Sequence, residues 1–374
     1  MKTDIVGLIY TGDQNERLRE LARIRSVAAL PMLGRYRLID FLLSNMVNSG
    51  MHNVGVILQR NYQSLLDQIG SGREWNLHGK RAGLTLLPPF AGSDHGSNYE
   101  GLLDALKSNL SFLRRSTERY IAVCDANMLY SIDFIDLLKQ HLDKNADLTM
   151  VYTKQRDVRR NGSGRYFGLD NDGWITRLEF DPVIPRYENT YIGAFIVRRE
   201  MLIDMVDRAT SQGMHHFTRE LLVRILQDKT YKLAGYELPG RVWYIDSVEA
   251  YYNANMDALN VRVRQDLFKP NRPVWTKLLD GMPTRYASNA KAINSLIADG
   301  CIIEGTVENS IVFRGAKIGP GAVVRGSIVM QDVVIGRDAE IENCIFDKGS
   351  LVRDGGRLIA PREYPIVVGK NLTI

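Results

Sequence analysis

Between Val307 and Phe346 the chain repeats itself every seventeen residues. Ser310-Ile311-Val312 returns as Ser327-Ile328-Val329 and again as Cys344-Ile345-Phe346. Lys317-Ile318-Gly319-Pro320-Gly321-Ala322 returns as Val334-Ile335-Gly336-Arg337-Asp338-Ala339, and Val307, Val324 and Ile341 keep the same step. An aliphatic residue about every six positions, with Gly, Asn or Asp between, is a hexapeptide pattern; each repeat is one coil that buries its apolar face only by stacking on its neighbours. About eighteen residues close one triangular coil, so seventeen is one coil with a trimmed corner. The expectation is a left-handed parallel β-helix at the C-terminal end. Many hexapeptide β-helices are acyltransferases with a histidine base. The six histidines here (His52, His78, His95, His141, His215, His216) all lie outside the repeat, which argues against acyl transfer and for a structural or regulatory role.

A chain of 374 residues suggests two domains. Short apolar runs at Ile5 to Tyr10, Asn53 to Leu58, Leu84 to Leu87, Tyr120 to Cys124 and Leu148 to Thr153 read as strands. Tyr62 to Ile69, Gly101 to Leu113 and Ser131 to Leu142 read as helices between them. That alternation predicts an α/β domain with a mixed, mostly parallel sheet. Asp170 to Gly173 is a turn signal between two strand-like runs, hence a hairpin. A strand at Tyr191 to Val197, helices at Met201 to Arg208 and Phe217 to Leu226, a strand at Val242 to Ile245 and a helix at Val248 to Leu259 follow. Phe90 to Asn98 is polar and glycine-rich and reads as a mobile loop. Pro270, Pro273 and Pro283 mark a linker. The expected division is 1–265 for the α/β domain, 266–288 for the linker and 289–374 for the β-helix.

Net charge is +5, with both signs interleaved along the chain. That pattern excludes a nucleic-acid stripe and leaves room for local phosphate-binding basic pockets. Cys124, Cys301 and Cys344 lie far apart, without metal-ligand spacing, and read as buried thiols in a reducing compartment. No run of eighteen apolar residues and no leader pattern is present, so the expected location is the cytoplasm, away from membranes.

The N-terminal stretch carries a resemblance. Gly34, Arg35, Tyr36, Arg37, Leu38, Ile39, Asp40, Phe41, Leu43, Ser44, Asn45, Asn48, Ser49 and Gly50 reproduce a G-G-K-Y-R-I-I-D-F-x-L-S-N-x-x-N-S-G block. With the β-helix, the whole chain resembles the glucose-1-phosphate adenylyltransferases (ADP-glucose pyrophosphorylases). The resemblance implies a Rossmann-like, GT-A-type nucleotidyltransferase domain and a reaction of ATP with glucose 1-phosphate to give ADP-glucose and pyrophosphate, supported by Mg²⁺.

The family's chemical positions are altered in this sequence. In its Gly-rich loop, Gly12 and Arg17 remain, whereas Asp13 and Asn15 replace glycines and Glu16 replaces threonine. Val27 stands for the lysine of the Lys-Pro element. Tyr130 and Asp133 fix a register that puts Asn127 at the first metal aspartate; Asp125 is a fallback ligand two residues earlier. The Ala-Asn-Met-Asp run ending at Asp257 puts Tyr244 at the second metal aspartate, with Asp246 as a displaced ligand or else a surface or capping carboxylate. Asp181 replaces the sugar-phosphate lysine. Tyr191 and Gly193 stand for the Ser and Gly of the glucose-binding run. Tyr99, Gly101 and Asp104 survive from the adenine loop. Arg35 and Arg37 match a site for a phosphorylated effector, with Arg262, Arg264 and Arg314 as further members.

By resemblance this is a degenerate, non-catalytic subunit type from glycogen biosynthesis. It would assemble with a catalytic subunit as a heterotetramer and raise that partner's activity or alter its effector response. No cofactor is assigned to this chain; Mg²⁺ belongs to the partner's reaction. Two other readings stay open: a working adenylyltransferase using Asp125 and Asp246, and a sensor that binds ATP or sugar phosphate without turnover. A homo-oligomer in isolation also stays open.

Overall fold

The structure is a computed structural model that describes residues 3–12, 16–79, 82–89, 99–155 and 164–374. Nine strands build the N-terminal sheet: β1 Ile5–Tyr10, β2 Val54–Ile57, β3 Leu84–Leu87, β4 Tyr120–Asp125, β5 Leu148–Thr153, β6 Arg165–Leu169, β7 Ile175–Phe180, β8 Asn189–Arg198 and β9 Leu233–Glu237. Their order is β7-β6-β8-β4-β1-β2-β3, with β5 on β8 and β9 on β5. β4, β1, β2 and β3 run parallel, and β8 runs antiparallel to β4. β1 is buried along its whole length because both faces are covered: Ile5 and Ile9 join one apolar cluster, Val6 and Leu8 the other.

Helix α1, Leu38–Asn48, explains why its sequence block is retained. Asp40 Oδ2 accepts from the Arg37 backbone N–H and closes the helix N-terminus. The polar residues of α1 then bind the stretch read as a linker. Thr276 Oγ1 donates to Asp40 at 2.6 Å, the Trp275 N–H donates to Ser44 Oγ at 2.8 Å, and Asn48 Nδ2 donates to the Pro273 carbonyl at 2.8 Å. Arg272 donates to Ser49 Oγ and to Asp133. The proline-rich segment is thus a strap pinned along α1.

The C-terminal repeat forms three five-stranded parallel sheets, the faces of a triangular parallel β-helix. Its first strand, Arg285–Tyr286, pairs with Ile302–Ile303 and lies inside the stretch read as linker. The seventeen-residue step is a stacking step. Ser310 Oγ accepts from the Ser327 N–H, and Ser327 Oγ accepts from the Cys344 N–H, each at 3.0 Å. The corners stack as well. Asn309, Gly326 and Asn343 occupy one left-handed corner with φ of 46°, 52° and 52°. Only Gly, Asn or Asp enters that conformation at low cost, which is why the pattern places them there.

The core is continuous between the two domains. One cluster runs from Leu18, Met32, Phe41 and Tyr251 into Val307, Ile328 and Phe346 inside the β-helix. Tyr252 Oη donates to the Gly326 carbonyl at 2.6 Å, so the corner glycine also receives the first domain.

Several elements differ from expectation. The helix expected over Gly101 to Leu113 is two, Leu102–Ser108 and Leu110–Arg115, broken where Asn109 Nδ2 turns back to the Ala105 carbonyl. The expected helix at Phe217 opens as one π-type turn, Phe217–Leu222. Strand β9 had no signal because Leu-Ala-Gly-Tyr-Glu lacks β-branched residues; β5 supplies its pairing. The strand at Val242 shortens to Trp243–Tyr244. Phe90 to Asn98, and Asp13 and Asn15, lie outside the described residues. Among the described residues no helix is long and apolar enough to cross a membrane.

Candidate functional site

The carboxyl ends of parallel β1 and β4 open onto a cavity of about 420 Å³, where open α/β sheets place their ligands. Tyr10, Arg17, Gly101, Asp125, Arg165, Asp181, His216, Arg219, Tyr244 and Asp246 line it. A larger cleft of about 930 Å³ shares Arg17, Tyr244 and Asp246 and runs to Arg362 and Tyr364 of the β-helix.

The two segments aligned with metal positions do meet. Trp243–Tyr244 pairs antiparallel with Met128–Leu129, and the Ile245 N–H donates to the Asn127 carbonyl at 2.8 Å. The side chains there are unsuited to the role. Asn127 Oδ1 is buried without a hydrogen-bond partner among the described residues, and Asn127 does not line the cavity. Tyr244 does line it and brings a phenol where a carboxylate would be needed. Asp125 lines the cavity but faces Arg165, whose Nη1 lies 3.6 Å from Asp125 Oδ2. Asp246 faces Arg17 at 3.6 Å. It is neither a surface group nor a cap: Ser247 caps the following helix by accepting from the Ala250 N–H.

Asp181 sits just after β7 in a left-handed conformation (φ 46°) and accepts from the Gly164 N–H at 2.8 Å. Its other oxygen is held by the Arg219 guanidinium. Tyr191 is fully buried, which pushes its hydroxyl pKa well up, and Arg165 lies 5.7 Å over its ring. The phenol therefore fills space beside the cleft. Gly193 has φ +73° in the irregular stretch of β8, and a Cβ there would sit 2.4 Å from Asp125 Oδ2. Burial works against the Arg165 charge, yet Asp125, Tyr191 and Tyr244 hold its pKa above the usual value. Val27 is buried in the interdomain core with Leu18 and Leu30, off the cavity.

The adenine-loop residues divide. Gly101 lines the cavity at the start of its helix, where a Cβ would sit 2.7 Å from the His215 carbonyl. Asp104 is turned away: it accepts from the Glu100 N–H and pairs with His215 Nδ1 at 2.8 Å. Tyr99 Oη accepts from Asn109 Nδ2, outside the cavity. Gly12 has φ +66°, and a Cβ there would meet nothing within 4 Å among the described residues.

A second basic site lies between the domains. Arg35, Arg37, Lys277, Arg314 and Lys348 line a cavity of about 110 Å³ together with Asp67 and Gln331. Burial, with Arg37 and Arg25 nearby, lowers the Lys348 pKa to about 8. Arg314 belongs to this group as expected, whereas Arg262 and Arg264 do not line it. Arg264 donates instead to the carbonyls of Ala258 and Leu259.

Sequence reasoning missed Arg165, Arg219, Lys277 and Lys348. Arg165 reaches Asp125 across β8, forty positions away in sequence, and no local pattern encodes that contact. Arg219 had one indirect signal: an aspartate in place of a phosphate-binding lysine calls for a cation somewhere nearby.

Residues 6–261 match the nucleotidyl transferase family, and residues 282–359 match the family described as GlmU-like, C-terminal hexapeptide. Fold and cleft thus define a nucleotidyltransferase domain joined to a hexapeptide β-helix. A glucose-1-phosphate adenylyltransferase of Thermomicrobium roseum is 34% identical over 350 residues, covering 92% of this chain and 81% of the relative. The glycogen biosynthesis protein GlgD of Bacillus subtilis is 30% identical over 369 residues, 98% of this chain and 96% of the relative. A glucose-1-phosphate adenylyltransferase of Desulfitobacterium hafniense is 30% identical over 383 residues, 100% and 95%. The chain belongs to the glucose-1-phosphate adenylyltransferase family.

The Mg²⁺ implied by that family calls for accessible oxygen ligands with at least one carboxylate. The described residues do not fit it. The aligned positions hold an inward-turned amide and a phenol, and the two nearby carboxylates each face a guanidinium.

Proposed function

We propose that this chain is a regulatory subunit of an ADP-glucose pyrophosphorylase in glycogen biosynthesis. It acts in the cytoplasm beside a catalytic relative that makes ADP-glucose and pyrophosphate from ATP and glucose 1-phosphate. The observation that carries the reading is a contrast within one domain. Val27, Asn127, Asp181 and Tyr244 hold the reaction's charged positions with unsuitable groups, while Asp40, Ser44, Asn48 and Ser49 remain engaged in docking the strap. Loss of one preorganised electrostatic group costs roughly 10²–10³ in rate. Four such losses leave little turnover, even without additivity. The similarity to a relative named as a glycogen biosynthesis protein supports the same reading.

Regulation works through the interface: packing that differs between two states of the partner shifts their populations. We place that interface on the β-helix and its adjoining strap, where Leu278, Met282, Tyr286 and Ile293 stand exposed. The Arg35–Lys348 cavity supports a phosphorylated effector as the regulatory input, since five cations converge there on one small space.

The test is ADP-glucose synthesis by this chain alone, by a catalytic relative alone, and by the two mixed. The chain alone is expected to be silent and the mixture to exceed the relative. Ordinary turnover by the chain alone overturns the reading in favour of a working enzyme. Met282→Glu and Ile293→Glu are expected to weaken co-purification of the two chains; an unchanged complex removes the interface from this face.

A further inference from the structure

Three acid–arginine pairs surround the sheet-end cavity: Asp125 with Arg165, Asp246 with Arg17, and Asp181 with Arg219. Each joins elements from different parts of the wall. Arg165 opens β6 and reaches the end of β4. Arg17 lies in the turn after β1 and reaches the segment after Trp243–Tyr244. Arg219 lies in the π-type turn and reaches the residue after β7.

Exposure is unequal within the pairs. The Asp125 side chain is 14% exposed and its Arg165 33%; Asp246 is 13% exposed and its Arg17 44%. In both pairs the guanidinium is the more exposed partner. Arg219 is also more open than Asp181. A ligand entering the cavity therefore finds the guanidinium as the more accessible member of each pair. A divalent cation finds each carboxylate already paired with a guanidinium, which disfavours its binding there. A phosphate ester finds planar N–H donors matched to its oxygens.

We propose that Arg17, Arg165 and Arg219 supply in this cavity the positive charge that a divalent cation would otherwise bring, so that the chain binds a phosphate ester there without metal. The inference rests on family membership and on these three pairs. It does not rest on the regulatory role, so the two can fail separately. The shared chemistry is the phosphate group, carried by a sugar phosphate or by a nucleotide. Binding exchanges aspartate for phosphate oxygens at the guanidiniums and moves no covalent bond.

The experiment uses the full chain without any partner subunit. Glucose 1-phosphate and ATP are titrated calorimetrically in separate arms, each with EDTA and with MgCl₂, and Mn²⁺ alone is titrated by electron paramagnetic resonance. The expected result is binding of one or both esters with the same affinity in EDTA and Mg²⁺, and no saturable Mn²⁺ site. Arg219→Gln, on an exposed side chain, and Arg165→Gln are expected to weaken ester binding by at least about tenfold each. Thermal melts establish that both variants are folded. Arg35→Gln, in the other basic cavity, is expected to leave this binding intact. Binding that requires Mg²⁺, a saturable Mn²⁺ site, absence of binding by both esters, or loss of binding in Arg35→Gln but not in Arg165→Gln and Arg219→Gln each overturns the proposal.

Discussion

Arg25 and Asp347 stand 322 positions apart and form a two-point ion pair in the core between the domains, with Nη2 at 2.8 and 2.7 Å from the two carboxylate oxygens. Both side chains are buried, and Arg25 Nη1 has no hydrogen-bond partner among the described residues. The pair ties the β-helix to the segment just before Val27–Ala29 of the first domain.

Breaking one side of a buried pair strands the other charge and costs about 3–5 kcal/mol. Asp347→Ala is therefore expected to lower the unfolding midpoint strongly, as read by thermal or denaturant melts. Replacing both residues by apolar groups of similar volume (Arg25→Met with Asp347→Leu) is expected to recover much of the loss. A single variant as stable as the parent would mean that the pair contributes little to the domain contact.

Lys348 makes the interdomain cavity sensitive to pH. Its pKa is lowered to about 8, so near neutral pH the folded chain carries a charge there that burial disfavours. The unfolded chain holds this proton more tightly, so the stability penalty is fully present below about 8 and relieved as pH rises toward the usual lysine value. A phosphorylated ligand in the cavity reverses the shift and draws a proton onto Lys348. Calorimetry near pH 8 in two buffers of different ionisation heat should show proton uptake, absent in Lys348→Met.

The serine column inside the β-helix is a stability element. Ser327 Oγ accepts from the Cys344 N–H and donates to the Arg325 carbonyl at 2.7 Å. Ser327→Ala leaves a buried N–H without its acceptor, at a cost of about 1–3 kcal/mol. Exposed Arg357 serves as the control, because its pair with Glu340 lies on the surface and removing it should shift the melt by less than about 1 kcal/mol.

Single reversions toward the family pattern should not restore turnover. Asn127→Asp, Tyr244→Asp and Asp181→Lys each supply one group of a set that acts together, while Arg165 and Arg17 still face the carboxylates. Each variant alone is expected to remain silent in ADP-glucose synthesis. A single change that brings measurable turnover would show that the cleft is one residue from catalysis.

The fold was legible where the pattern is local or periodic. The seventeen-residue step became a stack of coils because several aliphatic residues of each coil face inward and the corners need left-handed Gly, Asn or Asp. The alternating apolar runs became a two-faced sheet for the same reason of period. β9 escaped because its pairing comes from β5 and not from its own composition. The strap was visible only as prolines; its hold on Asp40, Ser44 and Asn48 needed the folded geometry.

By itself the sequence determined the two-domain order, the β-helix register and which family positions had changed side chains. The tertiary structure decided what those changes mean. Asp125 and Asp246 looked like spare metal ligands as long as only their spacing was known. Folding brings Arg165 and Arg17 from other segments to within 3.6 Å of them and pairs both carboxylates with guanidiniums. Charge is a property of a residue and readable in the chain, but the partner of a charge is a property of three-dimensional proximity.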